Sequence, residues 1–389
     1  MRSPLNKRLF RELRGEFGKY LVIFILMTLT IGMVSGFLVA DGSMIQAYEE
    51  SFEKYNIENG HFRTEKKMNN AQIQDIEDLG IKLYENYYVE EALTNGSTMR
   101  IFKNRDEVNK VCLMKGKMPE KPGEIGIDRM YADNNDLSVG DEIESGGHTW
   151  KITGLVALSD YSALFSNNND SMFDSVKFGV SVVCPEEFDS YKADQLNYSY
   201  AWKYNTEPKN EKAEKDISED LMEDVAKEVT LEEFVPRYTN QAIIFTGDDM
   251  GGDRSMMIVL LYIIIVIMAF VFAITTSNTI RKEANVIGTL RASGYTRGEL
   301  IRHYMAAPVF VTFIGAIIGN IIGYTVGKDY CAGLWKLQPA DLRDHLERGS
   351  ISSDNGSADP HYACGEFCAA VVQIKTITTE VPEKGLKQT

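Results

Sequence analysis

Three long hydrophobic runs divide the chain into membrane-type and polar segments. Residues 20–40, 256–280 and 305–326 contain no Asp, Glu, Lys or Arg. A helix rises about 1.5 Å per residue, so each run can cross a hydrocarbon core of about 30 Å. The pattern predicts three transmembrane helices. A cleaved signal peptide is the alternative for the first run, but its apolar region would usually be only about 7–15 residues long.

Residues 41–255 lie between the first two runs and show the pattern of a soluble domain. Helices are expected over residues 42–57 and 69–79, the latter capped by Asn70 and ended by Gly80. Short β-branched or aromatic stretches predict strands at 82–89, 97–102, 111–114, 124–127, 150–156 and 178–183. The domain is therefore expected to be α+β.

A highly charged stretch of this domain, residues 207–233, is expected to form a solvated helix. Its buried stripe is predicted to consist of Ile217, Leu221, Met222, Val225 and Val229. The polar stretch 166–171 predicts a loop.

A short basic segment, residues 281–304, joins the second and third runs. Its apolar positions at helical spacing are Ile280, Ala284, Ile287 and Leu290. The pattern stops at Gly294, which suits the left-handed residue that follows a helix end. Thr296 followed by Glu299 is a capping-box pattern that starts a second helix.

The charges indicate which side of the membrane each segment occupies. The basic residues of the connector are Arg281, Lys282, Arg291, Arg297 and Arg302. Short loops rich in Lys and Arg stay in the cytoplasm. Residues 1–19 combine basic residues with apolar positions at mostly helical spacing, which predicts an amphipathic helix on the inner membrane face. The N-terminus is therefore expected inside.

The formal charge of −15 is unevenly distributed. Residues 41–255 contain 43 Asp and Glu against 23 Lys and Arg, whereas the remainder is mildly basic. This asymmetry fits an acidic extracytoplasmic domain between basic cytoplasmic anchors, and it argues against nucleic acid as a partner.

The third run contains Gly315, Gly319 and Gly323 at four-residue intervals. Such spacing places small residues on one helix face and predicts close packing of another helix. The alternative is that Gly is simply common in membrane helices. Asn320 favours a face turned toward protein.

The run RKEANVIGTLRASGYTRGELIRHYMAAP, residues 281–308, resembles the signature of the FtsX-like permease family. These are membrane subunits of the ABC-transporter class that includes MacB and the lipoprotein-release permeases. The resemblance implies that matching positions form the surface that contacts a separate cytosolic ATPase. With the capping residue Thr296, they are Arg281, Glu283, Ile287, Gly288, Leu290, Arg291, Ala292, Gly294 and Glu299.

Two further stretches, KGKMPEKPGEIGIDRMYADNNDLSVGDEI and WKITGLV, resemble the core of the MacB-type extracytoplasmic domain. The family resemblance implies a dimer or pseudo-dimer in the bacterial plasma membrane that transmits ATP-driven motion to this domain. Export, lipid or lipoprotein handling and peptide resistance are the activities it implies. The alternative is a membrane-tethered sensor or interaction protein that acts without transport.

No residue pattern for bond chemistry is evident. The sequence GYTVGK, residues 323–328, has the wrong glycine spacing for a phosphate-binding loop and lacks its Ser or Thr. We therefore expect no enzyme activity, no cofactor and no metal in this chain. His61 and His148 are predicted to be isolated surface residues. Cys112 and Cys184 could pair if the fold brings them together.

Residues 327–389 do not fit the family pattern, because no fourth apolar run of about 20 residues follows. The motif Cys364-x-x-x-Cys368 near His361 is a weak metal signal without a second ligand pair. A truncated or frame-shifted gene is the hypothesis that the composition favours.

Overall fold

The structure is a computed structural model and describes residues 14–327. The expectations for residues 1–13 and 328–389, including those for the C-terminal cysteines, lie outside this range. The described residues fall into two compact units, one formed by 14–43 and 251–327 and the other by Met44–Met250.

The helices, in chain order, are α1 Phe17–Lys54, α2 Asn70–Glu77, α3 Arg129–Asn134, α4 Pro185–Phe188, α5 Glu211–Glu228, α6 Gln241–Lys282, α7 Ala284–Ala292 and α8 Arg297–Ile322. Helix α8 continues as a π turn, Gly323–Gly327. The strands are β1 Gly60–Thr64, β2 Ile81–Glu85, β3 Tyr88–Ala92, β4 Thr98–Lys103, β5 Val111–Gly116, β6 Glu124–Asp128, β7 Glu142–Ser145, β8 His148–Leu158, β9 Phe178–Val183, β10 Tyr198–Tyr204 and β11 Leu231–Pro236.

Helices α1, α6 and α8 contain the three predicted membrane spans, and each is long and apolar enough to cross a membrane. Helix α1 has 38 residues and α6 has 42, so both extend well past their apolar runs. The expected helix over residues 42–57 is the end of α1.

Unit 44–250 is built on two sheets. The strand order is β11-β1-β10-β2 in the four-stranded sheet and β3-β4-β9-β6-β8-β5 in the larger one, where β7 also pairs with β8. The larger sheet is mixed, because β4 pairs with β9 and β6 with β8 in parallel. The predicted α+β class of this unit is confirmed.

An aromatic layer covers one face of the four-stranded sheet. Phe62 is opposite both Tyr200 and Phe234 in the strand register, and its ring lies 5.6 Å from that of Tyr200. Trp202 lies fully buried beside them. Gly60 makes room for it, since a Cβ there would lie 2.3 Å from the indole. Burial of these rings is a main source of the sheet's stability.

Several predicted elements of this unit were wrong. The single strand expected over residues 82–89 is two strands, β2 and β3, which belong to different sheets because the chain crosses between them at Asn86 and Tyr87. Strands β1, β7, β10 and β11 were missed. The helix expected over residues 207–233 is shorter, because its last residues enter β11.

The buried stripe of α5 was also only partly predicted. Leu221 and Val225 are buried, whereas Ile217 and Met222 are 43% and 41% exposed. Val229 follows the helix and is partly buried against the core.

The cap of α2 is Asn69, and the prediction of Asn70 was wrong by one residue. The Asn69 side-chain oxygen accepts hydrogen bonds from the backbone of Ala71 and Gln72 at 2.9 and 3.0 Å. In return, the Gln72 side-chain oxygen accepts a hydrogen bond from the Asn69 backbone N–H at 3.1 Å. Asn70 is instead the first helical residue.

We predict that Asn69→Ala lowers the free energy of unfolding by about 1 kcal/mol, because it leaves two helix-end N–H groups without the side-chain acceptor. Asn70→Ala is the matched control and should change stability by less than about half of that. Thermal or denaturant unfolding of the purified chain measures both. A larger loss in the Asn70 variant would contradict the assignment of the cap.

Candidate coupling segment and helix interface

Helix α7 ends in a Schellman motif at the position where the sequence predicts a break. Gly294 has φ +95°, a left-handed conformation that Gly adopts without strain. The backbone N–H of Tyr295 donates to the carbonyl of Leu290 at 3.2 Å, and that of Gly294 to Arg291 at 3.0 Å. These bonds satisfy carbonyls at the helix end and fix the direction in which the chain leaves.

Helix α8 starts with the predicted capping box. The Glu299 carboxylate accepts from the Thr296 backbone N–H at 2.9 Å, and the Glu299 N–H donates to the Thr296 hydroxyl at 3.4 Å. Hydrogen bonds from the Thr296 backbone and hydroxyl hold the pKa of Glu299 below its ordinary value. The two helices therefore meet at a turn that is defined at both ends.

Apolar and polar contacts tie this hairpin together. Ile287 of α7 is buried in a cluster with Leu300 and Tyr304 of α8. The Tyr304 hydroxyl donates to a Glu283 carboxylate oxygen at 2.5 Å. Helix α7 is thus packed against the first turns of α8. Sequence reasoning missed Leu300 and Tyr304, although both lie at helical spacing after the cap.

The predicted contact residues separate into an exposed and an internal set. The exposed residues are Arg281, Gly288, Arg291, Ala292, Gly294, Thr296 and Glu299. Ile287 is buried, and Glu283 and Leu290 are half-buried. The internal residues support the hairpin, and the exposed ones form the surface that a partner can reach.

The glycines of α8 lie against α1. A Cβ at Gly319 would lie 2.9 Å from the Thr28 carbonyl oxygen, and one at Gly323 would lie 2.6 Å from that of Gly32. Gly315 packs against Met27, with 3.3 Å between its ideal Cβ position and the Met27 Cβ. The backbones therefore approach closely along the whole stripe. The α1 side was missed, although Gly32 and Gly36 have the same four-residue spacing.

Helix α1 also contacts α6. Ile23 and Met27 of α1 form a buried cluster with Met268 and Phe272 of α6. Near the ends of the same helices, the Lys19 ammonium donates to the Thr279 hydroxyl at 2.7 Å. Helix α1 is therefore the element that both other membrane-type helices contact.

The candidate chemistry of the other unit differs in part from the prediction. His61 is not isolated, because its Nδ1 lies 2.6 Å from a carboxylate oxygen of the buried Glu58. His148 is exposed and stacks on Trp150. Cys112 and Cys184 are both free thiols, so the suggested pair does not form. Within residues 14–327, no cluster of three or more His, Cys, Asp or Glu could hold a metal.

Helices α1, α6 and α8 are thus long and apolar enough to cross a membrane, and α8 packs closely against α1. Residues 258–346 match the sequence family described as the FtsX-like permease C-terminal domain. The resemblance to the FtsX-like permease family is thereby confirmed for this part of the chain. None of the curated proteins matches the sequence.

Two solved structures are similar to this chain. One is the periplasmic region of MacB from Actinobacillus actinomycetemcomitans, with 11% identity, a TM-score of 0.26, and coverage of 44% of this chain and 85% of that one. The other is the extracellular domain of the noncanonic ABC-type transporter YknZ from Gram-positive bacteria. It has 10% identity, a TM-score of 0.25, and coverage of 45% of this chain and 98% of that one.

We predict that Gly319→Ala destabilises the helix bundle by about 1–3 kcal/mol, because the added methyl meets backbone of α1 that cannot rotate away. Gly288→Ala is the matched control, since no atom lies within 4 Å of its ideal Cβ. The control should be neutral or stabilise α7 by up to about 1 kcal/mol. Thermal unfolding in detergent measures both, and equal melting temperatures would contradict the close interface.

Proposed function

We propose that the chain is the membrane subunit of an ABC transporter of the FtsX and MacB type. In this role it transmits motion from a separate cytosolic ATPase to an extracytoplasmic domain. The observation that carries the proposal is the connector hairpin, in which Ile287 is buried against α8 while Arg291 remains exposed. A contact surface fixed to a membrane helix can pass a displacement on without folding first.

The proposed topology follows from the charges. The basic connector and the N-terminus lie in the bacterial cytoplasm, and unit 44–250 lies outside the plasma membrane. Three features support this arrangement: the exposed cations at Arg281 and Arg291, the excess of acid in residues 41–255, and the three apolar helices.

The helices supply the mechanical link. Helix α6 runs unbroken into the first two residues of the connector, so a displacement of the connector acts directly on the adjoining end of the apolar run 256–280. Because its glycines pack closely against α1, a movement of α8 also moves α1. This chain contributes partner binding and motion, whereas the ATPase hydrolyses ATP.

The exposed surface of the connector also favours particular groups on the partner proteins. The exposed connector residues Arg281, Lys282, Arg291 and Arg302 favour acidic side chains on the ATPase. A second permease copy completes the assembly, and membrane lipid covers the exposed apolar faces, for example at Ile263 and Phe270 of α6. The cargo classes proposed are lipids, lipoproteins and peptides.

We predict that Arg291→Glu lowers the amount of ATPase that copurifies with the chain by about tenfold, since it reverses a charge on the exposed face. Gly294→Val should have a similar effect, because a β-branched residue at φ +95° is strained and redirects α8. Lys212→Glu is the matched control, an exposed charge reversal on α5.

The measurements are the amount of copurified ATPase and the rate of ATP hydrolysis in complexes purified from native membranes. The Lys212 variant should retain wild-type ATPase activity per permease, and all variants should keep their melting temperature within a few degrees. Wild-type levels of copurified ATPase in both connector variants would contradict the proposed coupling.

A further inference from the structure

Unit 44–250 contains a cavity of about 600 Å³ that the membrane role does not explain. Its walls come from β1, β10 and β11 of the four-stranded sheet, from β3, β4 and β9 of the larger sheet, and from residues 160–177. Ligand cavities in proteins typically measure about 300–1,000 Å³. The space is therefore large enough for an organic molecule of about amino-acid or dipeptide size.

Strand alternation explains why the walls are polar. His61 and Arg63 lie on one face of β1, while Phe62 between them faces the aromatic layer. Arg63 is opposite Ser199 and Glu233 in the register, and all three line the cavity. One face of this sheet is thus a hydrophobic core and the other is charged.

Two ion pairs with buried carboxylates, Glu58–His61 and Asp160–Arg105, lie at this cavity, and the His61 side chain remains 25% exposed. The Glu58 carboxylate bonds to His61 and, at 2.6 Å, to the side-chain amide of Asn109. Arg105 donates two hydrogen bonds to Asp160 at 2.7 and 2.8 Å, with both side chains less than 10% exposed. Burying ion pairs costs several kcal/mol in desolvation that an apolar core avoids. Their position at a cavity points to a binding role.

The charges of the cavity nearly cancel. The lining acids are Glu58, Glu90, Asp160, Asp174 and Glu233, and the lining cations are His61, Arg63, Arg100 and Lys177, with Arg105 directly behind Asp160. Burial alone would lower the pKa of His61, but the Glu58 carboxylate outweighs it and raises this pKa above its ordinary value. The cavity therefore has no large excess of either charge that would favour a ligand of high net charge.

Charged hydrogen-bonding groups of both signs remain unused. His61 Nε2 has no hydrogen-bond partner among the described residues. The buried Arg63 Nε makes no hydrogen bond within residues 14–327, although it lies 3.6 Å from a Glu233 carboxylate oxygen, and Arg63 Nη1 donates to Glu232 at 2.6 Å. Glu90 accepts both Arg100 bonds on one oxygen, and its other oxygen has no hydrogen-bond partner within residues 14–327. Charge-assisted bonds are roughly twice as strong as neutral ones. Free donors on cations and free acceptors on a carboxylate favour a molecule that bears both an anionic and a cationic group.

Amide groups complete the wall. The side-chain oxygens of Asn168 and Asn240 accept backbone bonds from Gln241 and Ala242 at 2.9 and 3.1 Å. Their NH₂ groups have no hydrogen-bond partner in the described part of the chain, and both residues line the cavity. Such donors complement the carbonyl of a peptide bond.

We propose that this cavity binds a small zwitterion of the amino-acid or dipeptide class, with its carboxylate at His61 and Arg63 and its ammonium at Glu90. The site does not depend on the proposed transport role, because it rests on the chemistry of unit 44–250 alone.

The test is isothermal titration calorimetry on the full chain in detergent with glycyl-phenylalanine. N-acetyl-glycyl-phenylalanine lacks the ammonium, glycyl-phenylalanine amide lacks the carboxylate, and cellobiose is a neutral polar molecule of similar size. We expect saturable binding of the dipeptide and at least about tenfold weaker binding of the other three.

His61→Gln and Arg63→Gln should each weaken dipeptide binding at least about tenfold. Lys103→Gln is the matched control on β4, a cation paired with Asp189 outside the cavity, and should bind within about twofold of wild type. Should Arg63→Gln fail to fold by its melting curve, Arg63→Lys keeps the charge and removes the Nε donor, and is expected to weaken binding as well.

Three results would overturn the proposal. One is the absence of saturable dipeptide binding by the folded wild-type chain up to about 10 mM. Another is equal or tighter binding of cellobiose, which would indicate a saccharide site. The third is wild-type affinity in the folded His61 and Arg63 variants.

Discussion

A bilayer core offers no water to hydrogen-bond a peptide group, and this constraint shapes the membrane-type part of the chain. Helices α1, α6 and α8 meet it with long runs of hydrogen bonds within each helix, interrupted in α8 at Pro308, which has no backbone N–H. Lipid also removes most of the hydrophobic drive for helices to associate, so their contacts depend on close van der Waals packing. As a consequence, the backbones of α8 and α1 approach so closely at Gly319 and Gly323 that there is no room for a Cβ at either position.

The connector is held together by its own local contacts. Its Schellman turn at Gly294 and its capping box at Thr296 fix two helix ends, and Ile287 attaches α7 to Tyr304 of α8. A partner that pushes on the exposed face therefore acts on a membrane helix instead of on a loose loop. Unit 44–250 has a different organisation, in which one aromatic sheet face supplies stability and leaves the opposite face free to carry charge.

Local signals in the sequence were sufficient for the features that depend on a few neighbouring residues. The apolar runs, the Gly294 break and the Thr296 cap are of this kind, and the structure contains each of them. The Asn69 cap was missed by one position because two adjacent Asn residues compete for the same role. The alternating aromatic residues of β10, YSYAWKY, were a usable strand signal. In contrast, Glu58 with Asn109, and Arg63 with Glu233, meet only through the fold, across separations that no local pattern encodes.

We propose that the basic connector and the acidic unit lie on opposite sides of the membrane. Single cysteines can test it in a chain whose five native cysteines are replaced by serine. Ser171→Cys and Ser293→Cys both introduce exposed thiols. In intact cells, a membrane-impermeant maleimide should label the chain with Ser171→Cys, and should label the chain with Ser293→Cys only after the membrane is permeabilised. Labelling of Ser293→Cys in intact cells, with Ser171→Cys protected, would contradict the account.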